Sequence, residues 1–252
     1  MLDLIRHDAI LELRMARPPV NALDAGLIRA LRAAVENAPK EGARGVILSG
    51  RSGLFSGGLD VPSLLALDRA QMREVWIDFF GLLGALACSP IPTVASIAGH
   101  SPAGGAVLSI FCDYRVMARG AYRIGLNEVQ VGLVVPGVIQ AALRRLVGTY
   151  RAERLMVAGA MIDSEQALAI GMVDELVDVD HVTTRAQAWL GEILALPPQA
   201  MAGTRALARA DLTALFADAS KLGVDEFVDG WFGDESQRVL QALVAKLKAK
   251  GG

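Results

Sequence analysis

Hydrophobic positions along the chain fall into short runs rich in β-branched residues, separated by longer stretches in which apolar residues recur at helical spacing. Residues 9–15 predict a strand, 25–35 a helix and 45–48 a buried strand. The rhythm repeats with a helix over 71–87, a buried strand over 93–97, a helix over 103–111 and a short strand over 114–117. That alternation predicts an α/β architecture. Beyond Gly137 the pattern turns mostly helical, over 138–147, 151–158, 164–170 and 182–196, with one strand over 173–177. Pro197 and Pro198 open a final set of helices. The last of these, 235–250, is amphipathic through Val239, Leu240, Leu243, Val244 and Leu247, and lysines and two terminal glycines suit its end. The expected organisation is an α/β core over residues 1–196 and a helical segment over 197–252, with no second independent domain and no fixed-period repeat.

Phe79 to Cys112 holds no Asp, Glu, Lys or Arg, and hydropathy alone offers it as a membrane span. Pro90, Pro92 and Pro102 cut it into pieces shorter than the roughly 18 residues a span needs, and Gly99, Gly104 and Gly105 add turns, so no membrane insertion is expected. Charge removes another class. Lys plus Arg number 25 against 27 Asp plus Glu, a net of −2, with no basic block to meet a phosphate backbone, so nucleic acid is not an expected partner. Cys88, Cys112, His7, His100 and His181 are scattered without the close pairing of zinc or iron–sulfur sites, and neither a metal nor a disulfide framework is expected. The opening MLDLIRHD has early charges and no apolar signal core, which makes cytoplasmic residence the default.

Candidate chemistry lies in three places. The first is Gly50-Arg51-Ser52-Gly53-Leu54-Phe55-Ser56-Gly57-Gly58-Leu59-Asp60, whose glycines let backbone approach a ligand while Asp60 before Pro62 marks a capped helix start. The second, Gly99-His100-Ser101-Pro102-Ala103-Gly104-Gly105, opens an apolar helix, where free N–H groups stabilise an anion such as a developing enolate oxygen. It comes near the G-x-S-x-G elbow of serine hydrolases. The residue after that serine must supply an oxyanion N–H, however, and Pro102 has none. The third, Tyr122 to Leu133, sets Glu128 in a weakly charged stretch behind Asn127, which reads as a helix cap. Each alone has an ordinary explanation as a capped turn or close packing; their order together carries the signal.

Phe55-Ser56-Gly57-Gly58-Leu59-Asp60, Pro102-Ala103-Gly104-Gly105 with Cys112-Asp113-Tyr114-Arg115, and Gly125-Leu126-Asn127-Glu128 resemble the enoyl-CoA hydratase/isomerase (crotonase) superfamily. Arg17-Pro18-Pro19-Val20-Asn21-Ala22-Leu23 matches its opening motif, and the resemblance runs from about Leu4 through Val177. It implies a spiral of ββα units with a helical C-terminal trimerisation segment, hence a homotrimer or a dimer of trimers. Within the superfamily the motifs look most like those of Δ3,Δ2-enoyl-CoA isomerases, with Gly57 where these carry alanine. The hydratases use two glutamates; the place of the first falls on Val107, and only the second remains, as Glu128.

The resemblance implies an acyl-CoA substrate, with coenzyme A as part of that substrate and no separate cofactor. It assigns the oxyanion donors to the backbone N–H groups of Leu59 and Gly104, the base to Glu128, and the rest of the binding contour to Ser56, Gly57, Gly58, Asp60 and Asn127. Hydration divides its proton transfers between two carboxylates, whereas one carboxylate suffices to carry a proton from C2 to C4. The expected reaction is therefore conversion of a 3-enoyl-CoA to a 2-enoyl-CoA in fatty acid breakdown. Hydration, dienoyl isomerisation, thioester hydrolysis and a non-catalytic acyl-CoA-binding or RNA-binding role are the alternatives. Val107, Leu133, Val134 and Val135 are the expected apolar walls around Glu128. Where some relatives carry lysines near the CoA phosphates this chain has Pro18-Pro19 and Pro62, leaving Arg17, Arg51 or a C-terminal lysine of a neighbouring subunit as candidate contacts. Phe227, Trp231 and Phe232 form either a partner-facing patch or part of the core, with Trp231 and Phe232 marking the place to look for a trimer contact.

Overall fold

A computed structural model describes residues 1–251; the terminal Gly252 lies outside the described residues. The chain opens with β1 (Leu2–His7) and β2 (Ile10–Met15), an antiparallel pair joined by a two-residue turn in which Asp8 takes φ +52°, and continues into α1 (Ala25–Asn37). Three units follow, each laying a strand into a large sheet, a strand into a small sheet, and then one or two helices. The first unit is β3 (Gly45–Ser49), β4 (Gly53–Leu54), α2 (Val61–Leu64) and α3 (Arg69–Ala87). The second is β5 (Thr93–Ile97), β6 (Gly99–Pro102) and α4 (Gly104–Ile110). The third is β7 (Tyr114–Ala118), β8 (Arg123–Gly125), α5 (Gly137–Val147) and α6 (Thr149–Val157). Then come β9 (Ile162–Asp163), α7 (Ser164–Ala169), β10 (Glu175–Val177) and α8 (Val182–Leu194). The C-terminal helices are α9 (Pro198–Ala208), α10 (Ala210–Ala214), α11 (Val224–Trp231) and α12 (Asp234–Gly251).

The large sheet runs β1-β2-β3-β5-β7-β10 and is parallel beyond the first pair; the small one runs β4-β6-β8-β9, parallel up to β8. This is the spiral of ββα units expected from the sequence. The small sheet itself was not foreseen, because strands of two to four residues carry too little pattern to register; β6 occupies what reads as a turn. β1 was also missed, since an edge strand with half-exposed residues lacks a buried face.

The uncharged Phe79–Cys112 stretch becomes the end of α3, then β5, β6 and α4, and among the described residues no helix is long and apolar enough to cross a membrane. Fully parallel strands buried on both faces explain its hydrophobicity: every residue of β3 and β5 is buried. Phe227 and Trp231 of α11 resolve as core, and Phe232 just beyond the helix is partly buried. Trp231 is wholly buried and Phe227 packs on Trp76 of α3 with ring centroids 3.7 Å apart, so Trp231 is not free to form the subunit contact expected of it.

The C-terminal helices are tied to the core by buried charge. Asp113 accepts from Thr93 N (2.8 Å) and Thr93 Oγ1 (3.1 Å), receives a bidentate pair from Arg205 (2.8 and 2.8 Å) and lies 3.1 Å from Arg209. Burial works against ionisation, but hydrogen bonding from Arg205 and the charge of Arg209 outweigh it and hold the carboxyl below its usual range. Replacing Asp113 with Ala should cost about 3 to 5 kcal/mol, because two buried guanidinium groups lose their counter-ion. Denaturant unfolding near pH 7 measures this. The loss should shrink as pH falls through the depressed carboxyl pKa, where the wild type loses the same contribution.

Candidate active site

β4, β6 and β8 lie side by side and parallel, with Leu54 opposite His100 and Pro102 opposite Gly125. Their C-terminal ends therefore leave the small sheet at one edge, and each leads into one of the three motifs. Neighbouring strands sit about 4.8 Å apart, so segments from β4 and β8 start about 10 Å from each other. The sheet thus gathers Leu59, Gly104 and Glu128, which the sequence separates by up to 69 positions.

The turn after β4 is held by the segment before α1. Phe55 O accepts from Asn21 Nδ2 (3.2 Å), Ser56 Oγ donates to Asn21 O (2.8 Å), and Gly57 N donates to Val20 O (2.7 Å). Gly58 N donates to Ser56 Oγ (3.2 Å), Leu23 N donates to Gly58 O (2.7 Å) and Asp60 N donates to Leu23 O (3.0 Å). In such a parallel bridge the groups of residues 58 and 60 face Leu23, so the N–H of Leu59 faces the other way. Among the described residues it donates to no protein acceptor. Asp60 caps α2 by accepting from Ser63 N (3.2 Å), with Pro62 in the first turn as the sequence suggests.

The turn after β6 meets it directly. Ala103 takes φ +44°, a strained value for a residue with a side chain, and its N–H donates to Gly125 O at 2.8 Å, which fixes the sharp exit into α4. Gly104 is the first residue of α4, so its N–H has no intrahelical acceptor, and no side chain caps the helix. A carbon placed on Gly104 would lie 2.9 Å from Leu23 Cδ1 and 3.5 Å from Gly58 Cα; one on Gly58, which has φ +85°, would lie 3.5 Å from Gly104 N. Glycine at both places lets the two turns approach closely, Gly58 also through its positive φ, and among the described residues each turn carries one N–H group without a protein acceptor.

Glu128 lies three residues beyond Gly125 at the start of a short 3-10 turn, Glu128–Val131. It is 8 % exposed, and its Oε2 is buried without a hydrogen-bond partner among the described residues. Burial pushes its carboxyl up to about 7, with no neighbouring charge among the causes. Val107, Leu133 and Val135 are buried as expected, but Val134 is 75 % exposed and cannot wall the carboxylate, because the chain turns outward between its two buried neighbours. Asn127 makes no cap hydrogen bond; its Oδ1 is buried and unpartnered beside Glu128. Ser236 Oγ donates to Gly132 O at 2.6 Å, tying α12 to this turn, a contact that residue patterns do not reveal because it spans 104 positions. Ser101 Oγ is wholly buried and bonded to nothing among the described residues, so no histidine base serves it.

The sequence pattern of the enoyl-CoA hydratase/isomerase family matches residues 6–250. The chain belongs to this family. Human mitochondrial enoyl-CoA delta isomerase 1 is 31 % identical over 99 % of this chain and 84 % of its own length. A probable enoyl-CoA hydratase of Mycobacterium avium is 34 % identical over 81 % of this chain and 79 % of its own. The crystal structure of human mitochondrial delta3-delta2-enoyl-CoA isomerase superposes with a TM-score of 0.92 at 31 % identity, covering 100 % of this chain and 99 % of that one. The crotonase fold of this family member is thereby shown. Among the described residues no cluster of three or more His, Cys, Asp or Glu suited to a metal is present. A surface hollow of about 970 Å³ between α6 and α7 includes none of the motif residues.

A raised carboxyl pKa is also a statement about stability. Below about pH 4.5 Glu128 is protonated folded or unfolded and makes no difference; as pH rises toward 7 the unfolded chain gains by ionising first, and above 7 the folded state carries a deficit of roughly 3 kcal/mol. Glu128→Gln should therefore raise unfolding stability by about 2 to 3 kcal/mol at pH 8 and leave it unchanged at pH 4, as chemical denaturation at the two pH values would read.

Proposed function

We propose that this protein converts a 3-enoyl-CoA to the 2-enoyl-CoA, with Glu128 as its single acid–base group and the Leu59 and Gly104 N–H groups as the oxyanion hole. The observations that carry the reading are one unpartnered, desolvated carboxyl on the turn after β8, and two closely approaching turns after β4 and β6 that each leave a backbone donor unused. The relatives at about 31 % identity named as delta isomerases support the same reaction.

The substrate's thioester oxygen accepts from both N–H groups. Glu128, ionised, takes a proton from C2, and the electron pair left behind delocalises over C2, the C3–C4 double bond and the thioester carbonyl. The negative charge gathers on the oxygen, where each donor contributes about 3 to 4 kcal/mol in the transition state. The protonated Glu128 then delivers its proton to C4, and the double bond moves to C2–C3. A base with a pKa near 7 suits both halves, since it must accept and return the same proton near neutrality. Buried Val107 stands where a hydratase has its first glutamate, and supplies no group to hold or deprotonate water. Asn127 Oδ1 and Ser56, Gly57, Gly58 and Asp60 contour the thioester side of the site.

Spectrophotometry with a 3-enoyl-CoA and a 2-enoyl-CoA tests the reading. The 3-enoyl-CoA should be consumed to 2-enoyl-CoA, with little hydration of the latter; rapid hydration in place of isomerisation would favour the two-carboxylate alternative and refute this one. Glu128→Gln should lower kcat by at least about a thousandfold while acyl-CoA affinity changes little. kcat/KM of the wild type should rise with pH and level off above about 7, tracking ionisation of the base.

A further inference from the structure

Arg17 sits in the opening motif, where sequence comparison made it a candidate for the CoA phosphates, yet its guanidinium is already occupied. Nε lies 2.9 Å from Asp24 Oδ2, Nη2 lies 2.5 Å from Asp60 Oδ2, and Nη1 donates to Ala22 O at 3.2 Å. Its backbone N–H donates to Asn21 Oδ1 at 2.9 Å, and Asn21 in turn holds Phe55 O. We propose that Arg17 is a positioning residue for the oxyanion hole: by bridging the cap carboxylates of α1 and α2 it fixes the turn that presents the Leu59 N–H.

The two carboxylates it joins are both helix caps. Asp24 accepts from Leu27 N (2.7 Å) at the start of α1, and Asp60 accepts from Ser63 N (3.2 Å) at the start of α2. Leu59 immediately precedes Asp60, and the backbone ties from Leu23 to Gly58 and Asp60 flank it. Arg17 adds a tie at the Asp60 side chain, so the donor residue is gripped through its successor on two sides. The three side chains are 24 %, 21 % and 13 % exposed, enough burial for charged hydrogen bonds to keep much of their strength. Without the guanidinium that both contact, the two carboxylates would repel each other and push α2 and its leading turn away from α1. The cluster also disfavours a phosphate. One positive and two negative charges leave a net of −1, which repels a dianion.

The proposal rests on the oxyanion reading above, and one experiment separates the two. Wild type, Arg17→Met and Arg17→Lys are assayed with an enoyl-CoA and with the pantetheine thioester of the same acyl chain, which lacks the nucleotide phosphates. Arg17→Met should lower kcat about tenfold to a hundredfold with KM within about twofold, by the same factor on both thioesters, since an ångström of misplacement costs about that much. Arg17→Lys should recover only part, because one ammonium cannot span two carboxylates in the fork geometry. Infrared spectra of a bound saturated acyl-CoA carrying a ¹³C thioester carbonyl supply a readout independent of turnover. The carbonyl band should shift to lower frequency on binding wild type and shift less on binding either variant, with thermal unfolding confirming that the variants compared are folded. A KM rise confined to the CoA thioester, or folded variants with wild-type kcat and wild-type carbonyl shift, would overturn the proposal. A wild type that shows the carbonyl shift but isomerises nothing would instead refute the isomerase reading and leave Arg17 judged on the infrared result.

Discussion

A backbone N–H pointed away from every protein acceptor is costly to bury and difficult to hold in place, and two of them side by side require a scaffold that satisfies everything around them. Here the scaffold is a parallel alignment of three very short strands, β4, β6 and β8, reinforced by the segment from Arg17 to Leu23. Between Phe55 and Asp60 each residue is bonded to that segment or to its neighbour through backbone or side chain, while the Leu59 N–H makes no bond among the described residues. The donor is free because its neighbours are committed. Gly104 reaches the same state by another route, as the first residue of a helix whose predecessor is pinned to Gly125.

The same pinning limits how far Glu128 lies from the turn that opens α4. Ala103 binds Gly125, and three residues further on stands Glu128, so the oxyanion turn and the carboxylate share one hydrogen-bonded node. Three residues span at most about 10 Å, which would keep the carboxylate within reach of an acyl group seated as proposed. Holding the proposed base on this node and not on a mobile loop would favour transition-state stabilisation, because little reorganisation is left for the moment of reaction.

Much of this was legible in the residues. The β3, β5 and β7 strands and most helices announce themselves by period, and the glycine pairs with Glu128 match a family whose fold the structure reproduces. What escaped has physical reasons. A sheet whose strands hold two to four residues has no periodicity to read, though it is the element that assembles the site. Arg17 looked like a free cation because sequence cannot show that Asp24 and Asp60 converge on it. Asn127 resembled a cap, but the following turn is a 3-10 turn and its side-chain oxygen stays unpartnered. Val134 shares the apolar character of Leu133 and Val135, and only the direction of the chain puts it in solvent.

Electrostatics then separates two roles that one functional group, the carboxyl, plays in this chain. Asp113 is buried and ionised because Arg205, Arg209 and Thr93 satisfy its oxygens, and its reward is a docked C-terminal segment. Glu128 is buried to a similar degree and given nothing to bond, so its charge is expensive and its proton is held to about pH 7. A well-paired carboxylate is a poor base, since its partners stabilise the ionised form it would have to leave. The absence of a cation or second carboxylate near Glu128 among the causes of its shift is therefore part of the chemistry. With Val107 apolar and Glu128 Oε2 without a partner among the described residues, nothing would compete with the substrate's C2 proton in the proposed reaction.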